Sequence, residues 1–472
     1  MRIMGLGLDL SGTPLFQPID EETFANMLVA RLGRNAEAVE ALAKPTIKGS
    51  SYKGEVEHIS IDPGNPKSVG WTYLVNAHDP QRQEFEKALA PLADHRGMTD
   101  PRTLLLYDCD GPEEWIDWLQ DNYYALTLEG KKPPYYILIV GSPDQVPFRF
   151  QSVLNTIANV GRVDFETLND LKQYVDKLIR IETAAEPLVT RETLVFAPDA
   201  GYLDPTYFSR EYMAMPMADH IRDDLGLISL SILGKDATKL RLLDTLNTRK
   251  PALVYTASHG LLARGKSFEF QMKYNGAICC QHDPGDPLME WIYSASDIPL
   301  DKPFLEGAIF FQFACFGYGT PAESDYAHWI EGVPQKYSDV DFVAALPKRL
   351  LAHPRGPIAY VGHLDTAWLH GFADPQEPLI LERWHNRITP FVSAVDEMLR
   401  VQPTGFAMRD MSNKFSVCNA LITNTYDRQQ RGKLVWNEAL AARFLDNWIT
   451  RSDAQNYMVF GDPAAHLRIP SG

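Results

Sequence analysis

Short apolar runs that stop at turn residues alternate with amphipathic stretches over most of this 472-residue chain, and nothing else constrains its fold as strongly. The runs are TLLLYDCDG from Thr103, YYILIVGSPDQVPF (135–148), ETLVFAPDAG (192–201), ISLSIL (228–233), PALVYTASHG (251–260), AIFFQFACFGYG (308–319) and GPIAYVGHLD (356–365). Apolar runs of this length, bounded by Gly, Pro, Ser and Asp, suit strands buried on both faces. Between them lie helical patterns: EEWIDWLQDNYY, 207–225 and 237–248. Segment 160–182 opens as a short strand and continues as a helix with Leu168, Leu171, Val175 and Leu178 on one face. Strands alternating with helices predict an α/β fold with a mostly parallel sheet. The pattern comes in two rounds, which predicts two sheets lying side by side.

The ends of the chain read differently. Residues 80–94 predict a helix, but 1–75 mix Gly, Pro and Lys without a pattern that defines a compact unit. Residues 376–455 are helical in pattern, and YMVFGDPAAHLR (457–468) closes the chain as a strand and turn. The expected organisation is therefore 1–100 of uncertain fold, an α/β subdomain over 101–185, a larger α/β subdomain over 186–375, and a mainly helical segment over 376–472.

Charge and cysteine usage exclude several function classes. A formal net charge of −16 argues against nucleic acid and anionic membrane surfaces as partners, since both need clustered Lys and Arg. No run of about 18 apolar residues predicts a membrane span, and the first residues carry no leader pattern. The five cysteines, Cys109, Cys279, Cys280, Cys315 and Cys418, show no disulfide spacing. A reducing, cytoplasmic location is the expectation. Cys279 and Cys280 lack the partners of a zinc site, and no metal or cofactor is expected.

Two of the apolar strands end in reactive side chains. Leu253–Tyr255 run into Ser258, His259 and Gly260, and Ile309–Phe313 run into Ala314, Cys315, Phe316 and Gly317. Ligands of open parallel sheets bind beyond the carboxyl ends of the strands. If these strands are neighbours, the imidazole and the thiol share one edge. Together they form a nucleophile and its base, and the same imidazole later protonates a leaving amine. Gly260 leaves its N–H open to a substrate carbonyl. With the Cys315 N–H it makes a candidate oxyanion hole.

His259 precedes Cys315 by 56 residues, and the string around the cysteine is QFACFG. Caspases carry Gln-Ala-Cys-x-Gly with a His about 50 residues upstream. Six segments in order, spanning about 135–468, resemble the gingipain-type cysteine peptidases of the wider caspase-like group. They are YYILIVGSPDQVPF, VGRVDFETLNDLKQYVDKLIRIE, ALVYTASHG, FFQFACFGYG, GPIAYVGHLDTAW and YMVFGDPAAHLR. The resemblance implies a caspase-like α/β/α sandwich preceded by a smaller α/β subdomain. It implies His259 as general base and acid and Cys315 as nucleophile, acting on a protein or peptide substrate.

The chain departs from that pattern in places. The family's acid before the Gly-Arg segment, which orients the His, is absent from NTIANVGR. Asn159 is the candidate acceptor there, the alternative being a Cys–His dyad. In the loop GHLDTAW, Asp365 with Trp368 forms a candidate S1 pocket that slightly favours a basic P1 residue, or else Asp365 caps the next helix. Asp199 is a second acidic candidate, or a turn residue. The family's structural calcium has no clear acidic loop here. The rival readings are a caspase-like scaffold without peptidase activity, held in a signalling or defence complex, and a serine hydrolase. No Gly-x-Ser-x-Gly elbow supports the latter. Residues 1–75 and 376–455 are candidates to cover the site or to meet a regulatory protein partner.

Overall fold

The computed structural model describes residues 2–3, 7–14, 19–20, 62–98, 100, 103–202, 204–327, 335–373 and 381–470. Half of the expected N-terminal region, including 21–61, lies outside the described residues.

The strands that build the molecule, in chain order, are β1 (Gly7–Leu8), β2 (Trp71–Asn76), β3 (Leu105–Tyr107), β4 (Tyr136–Val140), β5 (Asn159–Val163), β6 (Glu192–Ala197), β7 (Ile228–Leu233), β8 (Leu253–Ala257), β9 (His259–Leu261), β10 (Ile278–Cys279), β11 (Ile292–Tyr293), β12 (Ile309–Phe313), β13 (Ala359–His363) and β14 (Tyr457–Phe460). Ten of them form one sheet in the order β3-β2-β4-β5-β14-β13-β12-β8-β6-β7. All neighbours are parallel except β14 and β13, which are antiparallel. Two parallel half-sheets therefore run in opposite directions and meet at that seam.

This corrects two expectations. The two rounds of strand and helix form one continuous sheet, because the C-terminal strand β14 inserts between them. β2 lies in the segment where no unit was read, and it is the partner of both β3 and β4. The first half-sheet thus begins near residue 66, ahead of the boundary expected at 101.

The central strands β4, β8, β12 and β13 are buried along their whole length, which is why they read as unbroken apolar runs. Alternate residues serve different layers. Tyr136, Leu138 and Val140 pack with Leu89 and Leu92 of helix α1 (Arg82–Arg96) and with Leu171, Val175 and Leu178 of helix α2 (Leu168–Thr183). Ile137 and Ile139 face the opposite core, with Trp118, Phe150 and Leu154. Each such buried side chain stabilises the fold by roughly 1.5–3 kcal/mol. α2 starts where Thr167 accepts a hydrogen bond from the Asp170 N–H, so the predicted stripe begins at a real cap. The result is an α/β protein with a large, mostly parallel sheet between helical layers. Helices Leu381–Leu399, Arg409–Gln430 and Glu438–Gln455 precede β14. Among the described residues no helix is long and apolar enough to cross a membrane.

A second, four-stranded sheet has the order β11-β10-β9-β1. It leaves the large sheet at the end of β8 and carries the N-terminal strand β1 along its edge.

Candidate active site

β8 and β12 are hydrogen-bonded parallel neighbours, with Ala257 opposite Phe313 and the Ser258 N–H donating to the Phe313 carbonyl at 3.0 Å. His259 and Cys315 each follow two residues after that matched pair. The fold thus brings the two expected residues to one carboxyl edge, on strands about 4.8 Å apart. The backbones are so close that a Cβ on residue 260 would fall 1.8 Å from the Cys315 carbonyl oxygen. Only glycine fits at 260.

The chain leaves the large sheet at Ser258, and His259 enters the small one opposite Cys279. The His259 ring is buried. Its Nε2 lies 2.9 and 3.0 Å from the two carboxylate oxygens of Asp204. An Nε2–H donating to that carboxylate makes Nδ1 the basic nitrogen of the neutral ring. Burial alone would raise the Asp204 carboxyl. The charge on His259 and hydrogen bonds from His259 and Thr206 outweigh burial and hold it at about 2.

Asp204 is the acid that orients the histidine, and sequence reading missed it. It sits in the loop after β6, the strand beside β8. It also caps the short helix Pro205–Ser209, accepting from the Thr206 N–H at 2.8 Å. Asp-Pro-Thr is an ordinary N-cap signature, and that bland reading hides the second role. The signal available was its position: an acidic residue just past the carboxyl end of a strand, in the loop where Asp199 was considered.

Asn159 is not that acceptor. It starts β5, level with Ala257 but four strands across the sheet, roughly 19 Å by strand spacing. Its side-chain amide donates to the Tyr135 carbonyl at 3.2 Å.

The S1 candidates are also placed elsewhere in function. Asp365 is buried and adopts φ +71°. Its Oδ1 accepts from the Thr366 N–H at 2.6 Å and its Oδ2 from the Asp325 N–H at 3.0 Å. Trp368 is fully buried, its ring 5.0 Å from that of Tyr326. Both side chains are buried, and the Asp365 carboxylate is engaged by backbone N–H groups. Asp199 is a turn residue, accepting from the Gly201 N–H at 2.8 Å and paired with Arg210.

Cys315 is buried, and its sulfur accepts from the Ala367 N–H at 3.2 Å. The next residue, Phe316, takes φ +59° and donates its N–H to the Asp365 carbonyl at 2.9 Å. This sharp bend turns the cysteine off the strand. The other thiols are poor nucleophiles. Burial pushes Cys279 and Cys280 far up. Burial and the carboxylates of Asp108 and Glu114 push Cys109 to about 11. Burial also raises Cys418. No disulfide links any of the five cysteines.

A cavity of about 400 Å³ opens on the imidazole side, lined by Asp204, His259, Cys279, His282, Leu8 and Gly12. The last two belong to the N-terminal segment. β1 runs parallel to β9, with Gly7 opposite Gly260 and the Leu262 N–H donating to the Leu8 carbonyl at 2.8 Å. Among the described residues no cluster of three or more His, Cys, Asp or Glu side chains is placed to hold a metal ion.

No protein-family model matches the chain, and no curated protein matches it. Several solved structures resemble it at low identity. One is described only as the structure of a protease (TM-score 0.46, 12 % identity, 84 % of this chain and 78 % of that one). Another is the Arg-specific cysteine proteinase gingipain R, RgpB (TM-score 0.41, 12 % identity, 86 % and 80 %). A third is from the Saccharomyces cerevisiae separase–securin complex (TM-score 0.34, 11 % identity, 84 % and 23 %).

Proposed function

We propose that this protein is a cysteine endopeptidase with Cys315 as nucleophile, His259 as general base and acid, and Asp204 as the residue that orients and charges the imidazole. The observation that carries the reading is the matched register of β8 and β12, which puts a histidine already held by a carboxylate beside the one cysteine at that edge.

In the proposed reaction His259 takes the Cys315 proton and the sulfur attacks the peptide carbonyl carbon. The carbonyl oxygen becomes an oxyanion facing the Cys315 and Gly260 N–H groups, each worth roughly 3–4 kcal/mol in such a role. As the tetrahedral intermediate collapses, the C–N bond breaks and His259 gives its proton to the leaving amine. Water, deprotonated by His259, then hydrolyses the thioester and restores the thiol. Asp204 stabilises the imidazolium in both halves.

The thiol is fully enclosed, so a substrate reaches it only after neighbouring segments move. That fits an enzyme held in check inside a cell. Cysteines outside any disulfide support the intracellular assignment, and a regulatory protein partner is the natural agent of release. Enclosure also favours the second reading, a caspase-like scaffold that cleaves nothing.

A peptide chloromethyl ketone library separates the two. The peptidase reading expects stoichiometric labelling of Cys315, lost in Cys315→Ala and slowed in His259→Ala. Absence of labelling across all P1 residues, in the full chain and after limited proteolysis, would leave the scaffold. The same library reports P1 preference directly.

A further inference from the structure

The loop after β13 is built around the sulfur of Cys315, and its parts are unusual enough to demand a role. Asp365 holds φ +71° in a fully buried setting, a conformation that is strained for a non-glycine residue. Its backbone carbonyl takes the Phe316 N–H at 2.9 Å, tying the loop to the residue after the nucleophile. Its carboxylate takes the Thr366 N–H at 2.6 Å and the Asp325 N–H at 3.0 Å. One residue further, the Ala367 N–H points at Sγ at 3.2 Å, closer than the Ala367 carbonyl, which the thiol meets at 3.8 Å. The far side of the turn is pinned by Asp453, whose Oδ1 accepts from the Trp368 N–H at 3.2 Å. Gly371 closes against the same carboxylate, where a Cβ would fall 2.0 Å from Asp453 Oδ2.

We propose that Asp365 is a positioning residue for the nucleophile, fixing the 365–368 turn so that the Ala367 N–H donates to the Cys315 sulfur and favours its thiolate. This rests on the reading of Cys315 as nucleophile. A hydrogen bond to an ionised acceptor is stronger than one to a neutral acceptor, so the donor stabilises S⁻ over SH. Tyr326, Tyr337, Arg149, His363 and Asp325 surround the Asp365 carboxylate, and Cys279 and Tyr457 are titratable groups near the sulfur.

The sign of one pH shift tests this. Iodoacetamide alkylation of the full-length chain is followed against pH, with the Cys315 peptide quantified by mass spectrometry. Asp365→Asn keeps one acceptor but cannot accept from both N–H groups. The expected result is a higher midpoint and about tenfold slower alkylation of Cys315 at neutral pH. If Asp365 acted only as a nearby negative charge, its removal would favour the thiolate and lower the midpoint. A lower or unchanged midpoint overturns the proposal. Ala367→Pro removes the donor without changing charge, and the same upward shift is expected. It carries the test if Asp365→Asn does not fold. Alkylation needs no peptide, so a variant series that shifts as expected in a chain that cleaves nothing would retain this inference and remove the peptidase reading.

Discussion

The two half-sheets bury charge in opposite ways. In the first, Arg96 donates from Nε to Asp462 at 2.7 Å and from its terminal nitrogens to both oxygens of Glu182 at 2.5 and 2.6 Å. Trp71 Nε1 adds a bond to Asp462 at 2.8 Å, and His95 Nε2 meets Glu182 at 2.7 Å. Burial would raise Glu182, but the Arg96 charge and these bonds hold it at about 2. Arg96, Glu182 and Asp462 are buried, and His95 stands at the partly exposed edge of the network. In the second half-sheet, the Asp204–His259 pair lines a cavity, at the carboxyl edge that also carries Cys315. A closed set of buried charges ties α1, α2 and the C-terminal turn together. An open one presents a polarised imidazole. The difference lies in the empty volume beside the pair, not in its chemistry.

The sharpest break of that comparison is Cys315→Ala, expected to remove all peptide cleavage in a turnover assay while leaving thermal stability near wild type. Next is Asp204→Asn, which keeps the cap geometry but removes the charge behind the imidazole. A fall of roughly 100-fold or more in kcat is expected. The corresponding loss in the other half, Arg96→Ala, should cost about 3–5 kcal/mol in urea unfolding because it strands Glu182 and Asp462. Once allowance is made for unfolding, kcat should stay within a few-fold.

Acid titration sharpens the contrast further. The folded Asp204 carboxyl titrates at about 2, below its ordinary 3.8, so its contribution is present above pH 4 and is lost as pH falls through 2. That contribution is about 2 kcal/mol at most. Asp204→Asn should therefore flatten the wild-type loss of stability between pH 4 and 2, and an unchanged acid limb would contradict the pair. The smallest effect is expected from deleting residues 1–14. Loss of the buried Leu8 costs roughly 1–3 kcal/mol. Opening the β9 edge should move KM more than kcat.

Much of this was legible in the sequence, for reasons tied to particular residues. Strands buried on both faces leave unbroken apolar runs, so β4, β8, β12 and β13 announced themselves. His259-Gly260 and Cys315 stood out because each ends such a run. Non-local pairing left no such trace. β14 joins the half-sheets from a position almost 300 residues after β5, and nothing in YMVF says which strands it separates. β2, WTYLVN, carries Thr72 and Asn76 and follows an unpatterned segment. Asp204 was hidden by the completeness of its local explanation as a cap. Asn159 was drawn in by position along the chain, although the sheet places it four strands from the imidazole. The enclosure of Cys315 depends on the 365–368 turn, whose conformation at Asp365 lies in a region that sequence does not advertise for a non-glycine residue.

The central claim is that one imidazole and one thiol, delivered by neighbouring strands, cleave peptide bonds. A positional peptide-library cleavage assay on wild type, His259→Ala and Cys315→Ala tests it most directly. The account predicts defined cleavage products from wild type and none from either variant. Equal cleavage by Cys315→Ala would contradict it, as would a wild-type chain that binds peptides and leaves every one intact after its N-terminal segment has been removed.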